Sequence, residues 1–150
     1  MDGLNEALLD AWLGVTSSVN NDRIVKYLSY NEAYVCNLLW KQKQKSEEEY
    51  LTPTKLCEMT HMMSSLMNRT LNALETQGLV ERVRSKIDKR IVYVKLCDAG
   101  EELFIKEHQR SISIIDSMID KVGEENAQKI LESLTLIYDA AHEIILERKK

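Results

Sequence analysis

Apolar residues recur at spacings of three and four at Leu66, Met67, Leu71 and Leu74, with Thr70 among them, and this predicts one buried face on a helix from about Ser64 to Gln77. A shorter helix, about Pro53 to Met59, precedes it. Thr52 is placed to cap that helix's free N–H groups, and Pro53 fits its first position, where a missing N–H loses no bond. Thr60-His61-Met62 forms the turn between the two. Gly78 stands where a left-handed cap ends the second helix. Leu79–Arg84 and Ile91–Leu96 then alternate as strands around Ser85-Lys86-Ile87-Asp88-Lys89-Arg90, a polar hairpin loop. Helix, tight turn, helix and basic hairpin together read as a winged helix-turn-helix, whose second helix can enter a major groove about 12 Å wide.

The flanking sequence is helical by the same criterion. Leu4, Leu8, Ala11, Trp12, Val15 and Val19 stripe a first helix from Asp2 to about Asn20, which Asn20-Asn21-Asp22 loosens. Ile24–Leu28 is expected as a further helical turn. Ser29 and Glu32 match a capping box, opening a second helix to about Gln44 with Tyr34, Val35, Leu38 and Leu39 inward. Lys41–Glu49 is polar throughout. Asp98-Ala99-Gly100-Glu101 repeats the capping-box pattern ahead of a long helix to Val122, with Leu103, Phe104, His108, Ile112, Ile115, Ile119 and Val122 along one side. Gly123 breaks it, and a last helix to about Glu147 carries two stripes, one from Ile130 to Ile144 and one through Leu131, Tyr138 and Ile145. The terminal helices hold more apolar surface than one small winged domain can cover, so a symmetric homodimer built from both chain ends is the economical reading. Folding back onto their own domain is the alternative. The expected fold is therefore mainly α with a small β-hairpin (α+β). It is a single domain, 1–150, with a winged helix-turn-helix at about 30–97 and dimerisation helices at about 2–20 and 98–148.

Composition narrows the class. The 150 residues are 44% hydrophobic, enough for a core. No apolar run is long enough for a bilayer and no signal-peptide pattern opens the chain, so a cytoplasmic protein with no membrane partner is expected. Three separated cysteines read as free thiols. The net charge of −4 looks wrong for a DNA binder, but its distribution does not. Leu79–Lys95 holds six basic residues against Glu81 and Asp88, a local +4 that leaves −8 elsewhere.

Specific motifs accompany this order: Leu51-Thr52-Pro53, Leu74-Glu75-x-x-Gly78-Leu79-Val80-Glu81-Arg82, Asp88-Lys89-Arg90, and Val94-Lys95-Leu96-x-x-x-Gly100. With them the chain resembles the MarR (multiple antibiotic resistance regulator) family over essentially its whole length. The resemblance implies a homodimeric transcriptional regulator, usually a ligand-responsive repressor, on a pseudo-palindromic double-stranded DNA operator. It implies that the Ser64–Gln77 helix enters the major groove and that Arg90 reaches the minor groove while Asp88 holds the wing in shape. The spacing of Asp88 and Arg90 agrees, since residues two apart on an extended strand share a face. Two departures stand out. Met63 occupies a position where relatives often carry a capping residue, and Arg69 is the only basic residue from Met63 to Gln77, with Glu75 to cancel it. Heavier reliance on the wing follows.

The DNA-contacting candidates are Ser64, Ser65, Asn68 and Arg69 on the helix and Arg84, Lys86, Asp88, Lys89 and Arg90 on the wing, with Arg82 in the same basic run. Trp12, Tyr34, Leu38 and His108 have two readings: core packing, which their type favours, or a pocket for a small aromatic ligand, since many relatives respond to phenolic compounds. Some relatives sense oxidants through a cysteine in the first helix; this chain has none there, and Cys36, Cys57 and Cys97 read as core. His61, His108 and His142 are isolated, so no metal site and no cofactor are expected. No catalytic motif marks an enzyme. A winged-helix module that docks a protein instead of DNA is the alternative function, disfavoured by the polar residues exposed on the second helix.

Overall fold

The computed structural model describes residues 2–22, 24–48 and 50–148, with side chains at 3–18 in the first of these segments. The order is α1 (Asp2–Asp22), α2 (Tyr30–Lys45), α3 (Pro53–Thr60), α4 (Ser64–Thr76), β1 (Val80–Arg84), β2 (Val92–Leu96), α5 (Asp98–Val122) and α6 (Glu124–Glu147). It is a mostly helical winged-helix fold with terminal helices and one antiparallel two-stranded sheet, in register from Val80 opposite Leu96 to Arg84 opposite Val92.

Local chemistry sets the element boundaries. The Ser29 side chain accepts from the Glu32 N–H while Glu32 accepts from the Ser29 N–H, so the capping box at α2 forms as expected. The Thr52 side chain caps α3, and Pro53 opens it. Gly78, at φ +71°, ends α4 in the left-handed conformation, and the Leu79 N–H reaches back 2.9 Å to the Leu74 carbonyl.

Four expectations need correction. Residues 24–28 are not helical. Their polar groups are met instead by α5: the Glu107 carboxylate accepts from the Lys26 N–H at 2.6 Å and the Tyr27 N–H at 3.3 Å, and the Ile24 carbonyl accepts from Arg110 and Ser111. No side chain caps α5; Cys97 is its N-cap, and Glu101 pairs with Lys43 across to α2. The first helix continues to Asp22, past the asparagines expected to loosen it. Tyr34 is exposed where an inward position was expected, while Val35 and Leu39 are buried. The side chain of Val19 and all of Glu49 lie outside the described residues.

The core gathers around α4. Met67, Leu71 and Leu74 are fully buried against Val35, Cys36 and Leu39 of α2, Leu56 of α3, Val80 and Val94 of the sheet, and Phe104 of α5. Leu51 adds a bridge to the sheet edge through its N–H and carbonyl to Val94, at 3.0 and 2.8 Å. The termini contrast with this. Every described side chain of α1 is exposed, and α6 buries none fully. The stripe of α5 beyond Phe104 is exposed as well, at Ile112, Ile115, Met118 and Val122.

Gly100 fixes where α5 meets the winged body. A Cβ there would lie 1.9 Å from the Leu79 carbonyl oxygen, a backbone atom that cannot swing aside. Gly100→Ala is expected to destabilise the fold by about 2 kcal/mol or more, as overpacking against backbone does. Thermal or urea unfolding of the variant checks this, and an unchanged midpoint would contradict the packing described.

Candidate nucleic-acid interface

With Met67, Thr70, Leu71 and Leu74 turned inward, the helical period leaves Ser64, Ser65, Asn68, Arg69 and Asn72 on the exposed face of α4. Thr70 sits in the core without penalty because its hydroxyl donates to the Leu66 carbonyl at 2.9 Å. The turn ahead of α4 is set by His61, in the left-handed region at φ +59°, and by Thr60, whose hydroxyl accepts from the Met62 N–H. Met63 is the N-cap, and its side chain makes no capping bond.

The wing joins α4 through Arg82, whose guanidinium donates to Asn72 Oδ1 at 2.9 Å and Glu75 Oε2 at 2.6 Å. Arg82 is thus a strut rather than a free charge, and Glu75 neutralises it instead of Arg69. Lys95 pairs with Glu81 at 2.9 Å. Arg69, Arg84, Lys86 and Lys89 are exposed and form no ion pair with the described residues. A helix face of small polar groups beside four uncommitted cations is therefore presented on one body.

Asp88 and Arg90 meet at the wing tip, though not on an extended strand as the spacing suggested. They lie in a turn closed by the Ile91 N–H on the Asp88 carbonyl at 2.9 Å. The Asp88 carboxylate accepts the Arg90 backbone N–H at 3.0 Å and its Nε and Nη2 at 3.1 Å. Arg90's hydrogen bonds hold the Asp88 carboxyl below its ordinary range. Ser85 completes the tip by accepting from the Ile87 and Asp88 N–H groups. The fork holds the Arg90 head in place while leaving its side chain 91% exposed.

The four candidate pocket residues are not brought together. Tyr34 and His108 line one cavity of about 270 Å³ between α2 and α5, with Asn37, Lys41, Phe104, Glu107 and Ser111 also in its wall. Leu38 packs against the core, and Trp12 is 55% exposed on α1. Sequence periodicity had no means of finding Asn37, Lys41, Glu107 or Ser111. It also missed a contact from α6: His142 stacks on His61 with ring centroids 3.5 Å apart, and Tyr138 lies 5.7 Å from His61. Tyr138 also neighbours Tyr34, whose hydroxyl pKa is raised by burial first and then by Tyr138. Among the described residues no cluster of His, Cys, Asp or Glu is arranged to hold a metal ion.

A winged helix-turn-helix with an exposed polar second helix and a cationic wing is the framework of a DNA-binding transcriptional regulator. Residues 23–106 match the family described as "Transcriptional regulator SarA/Rot", and the chain belongs to it, within the MarR/SarA group of winged-helix regulators. These are regulators and not enzymes. The chain is similar to the organic hydroperoxide resistance transcriptional regulator of Bacillus subtilis (strain 168), 27% identical over 116 residues, which cover 77% of this chain and 74% of that protein. Its fold is similar to the PcaV regulator of Streptomyces coelicolor in complex with its natural ligand, with a TM-score of 0.73, 18% identity, and coverage of 89% and 91% of the two chains. It is likewise similar to Streptococcus pneumoniae FabT in complex with DNA, at a TM-score of 0.67, 23% identity, and coverage of 94% and 96%.

Cys36 is buried on α2, and burial pushes its thiol up to about 12, with Glu32 adding to the shift. Cys57 packs partly buried against the core, and Cys97 is partly buried at the start of α5. The nucleophile is the thiolate, so Cys36 is expected to be inert at pH 8. Iodoacetamide at that pH should leave Cys36 unmodified in the folded protein and label it fully in denaturant, as read by peptide mass spectrometry. Equal labelling in both would show an accessible, acidic thiol.

Proposed function

We propose that this chain is a ligand-responsive repressor that binds a pseudo-palindromic operator as a homodimer. The observation that carries the reading is the common surface of α4 and the wing. Ser64, Ser65, Asn68 and Arg69 would meet base edges and phosphates in the major groove, and Arg84, Lys86, Lys89 and Arg90 would follow the backbone into the adjoining minor groove. Asp88 acts through Arg90, holding its guanidinium at the tip. A narrow minor groove concentrates negative potential and favours such an arginine. The FabT structure is described as a complex with DNA, which supports the same use of the fold here.

The dimer reading rests on the termini. Leu4, Leu8 and Trp12 of α1, Ile112, Ile115 and Met118 of α5, and Ile130, Leu134 and Ile137 of α6 are all exposed in a single chain. Leaving that surface in water forfeits about 25 cal/mol for each Å². A second copy covers the same stripes reciprocally, as a twofold interface does. In this reading 1–150 is one functional unit, with the winged part at about 30–97 and dimer helices at about 2–20 and 98–148, acting in the cytoplasm.

The cavity lined by Tyr34 and His108 is the candidate ligand site, and a small aromatic compound fits its mixture of rings and polar groups. PcaV, described in complex with its natural ligand, supports a ligand-bound mode of regulation in this fold. Peroxide sensing is not carried over from the Bacillus subtilis relative, because α1 has no cysteine and Cys36 is buried with a raised pKa.

Footprinting on the DNA upstream of the coding region tests the reading and gives the half-site spacing. Wild-type affinity is expected to fall steeply as salt rises, because each phosphate contact releases counterions. Arg84→Glu/Lys86→Glu/Arg90→Glu is expected to weaken binding by ~100-fold or more while sedimentation still reports a dimer. Unchanged binding by that variant in a gel-shift assay would overturn the proposed interface.

A further inference from the structure

Met63, at the start of α4, is placed against local helix stability. It is the N-cap of α4, at φ −66° and ψ 148°, and has no oxygen with which to accept from the helix's free N–H groups. Serine, threonine or aspartate there would satisfy one of them. The core does not need this methionine. Met59 and Met62 pack against it, whereas Met63 stands 63% exposed beside exposed Ser64 and Ser65. An unbranched thioether is thus held out at the N-terminal end of the helix proposed to enter the major groove, the end whose residues meet base edges in this type of motif.

We propose that Met63 is a specificity-determining residue that packs on the C5-methyl group of a thymine in the operator. This rests on the DNA-binding reading above and names one element of its specificity. The major-groove edges of the bases carry hydrogen-bond donors and acceptors throughout, and the thymine methyl is the apolar group among them. An exposed apolar side chain can gain from a base edge only there. Methionine's three rotatable bonds let it reach that methyl without an exact backbone register. Ser64 and Ser65 beside it remain free to bond the neighbouring edges, so the contact adds to polar readout and does not replace it.

The test uses the full-length protein and the duplex defined by footprinting. Each thymine of a half-site is replaced in turn by deoxyuridine, which removes the methyl and keeps the pairing. Wild type is expected to lose about fourfold in affinity at one thymine of the half-site, what burying one methyl is worth. Met63→Ser is expected to melt higher than wild type, yet bind the unmodified duplex several-fold more weakly and show no response to deoxyuridine at that thymine. Met63→Leu should keep the discrimination. A Met63→Ser profile matching wild type, or a wild-type profile flat at every thymine, would overturn the inference while leaving DNA binding intact. Absence of any footprint would overturn the underlying reading and this inference with it.

Discussion

The surface of this protein follows from the burial of one stripe on α4. Met67, Leu71 and Leu74 lie at zero exposure, each contributing roughly 2 kcal/mol on removal from water. That fixes the rotation of the helix about its own axis. Each residue advances 100° around the axis, so a slip of one position would drive Asn68 and Asn72, or Arg69, into the core and expose a leucine. The outward set, from Ser64 to Asn72, is the complement of this packing and needs no separate device to hold it. Arg82 then ties β1 to Asn72 and Glu75 of the same helix. α4 and the wing are therefore joined by direct side-chain contacts, and the spacing between their two exposed surfaces is built in.

Much of this was legible from the chain. The α4 stripe, the Thr52-Pro53 start, the Gly78 stop and the strand alternation each have a local cause, and local causes are what a sequence displays. The failures share the opposite property. Residues 24–28 look helical by composition, yet a carboxylate eighty positions away takes their N–H groups. Asp98 and Glu101 look like a capping box, yet Glu101 is drawn off by Lys43. Arg82 looks like one more wing cation until Glu75 is seen beside it. In each case a partner distant in sequence, or on the other side of a turn, outbids the local option. The cavity wall is the same kind of problem, because α2 and α5 contribute to it from segments some seventy residues apart.

Charge follows a similar division. The chain as a whole is acidic, at −4. Ion pairs absorb Arg82 and Lys95 within the hairpin, and the fork of Asp88 restrains Arg90 without hiding it. Arg84, Lys86 and Lys89 remain exposed and uncommitted among the described residues, clustered at the end of the hairpin farthest from the core. The remaining acidic surface repels a polyanion. A field that is positive at the wing and negative elsewhere favours one orientation toward a polyanion before any close contact forms.

His61 connects these parts to the terminal helices. It is the one described non-glycine residue with a positive φ, a conformation costing about 1–2 kcal/mol for a side chain with a Cβ. Its ring stacks on His142 and faces Tyr138, both on α6, and Tyr138 neighbours Tyr34 in the cavity wall. The strained turn is thus supported from outside the winged body, three residues ahead of Ser64. The turn ahead of α4 thus shares ring contacts with α6, and α6 in turn neighbours Tyr34 of the cavity wall. Because Arg82 ties the wing to Asn72 and Glu75 of α4, the hairpin, α4, the turn at His61 and α6 form one unbroken series of contacts, and the geometry of the turn is set from both of its sides.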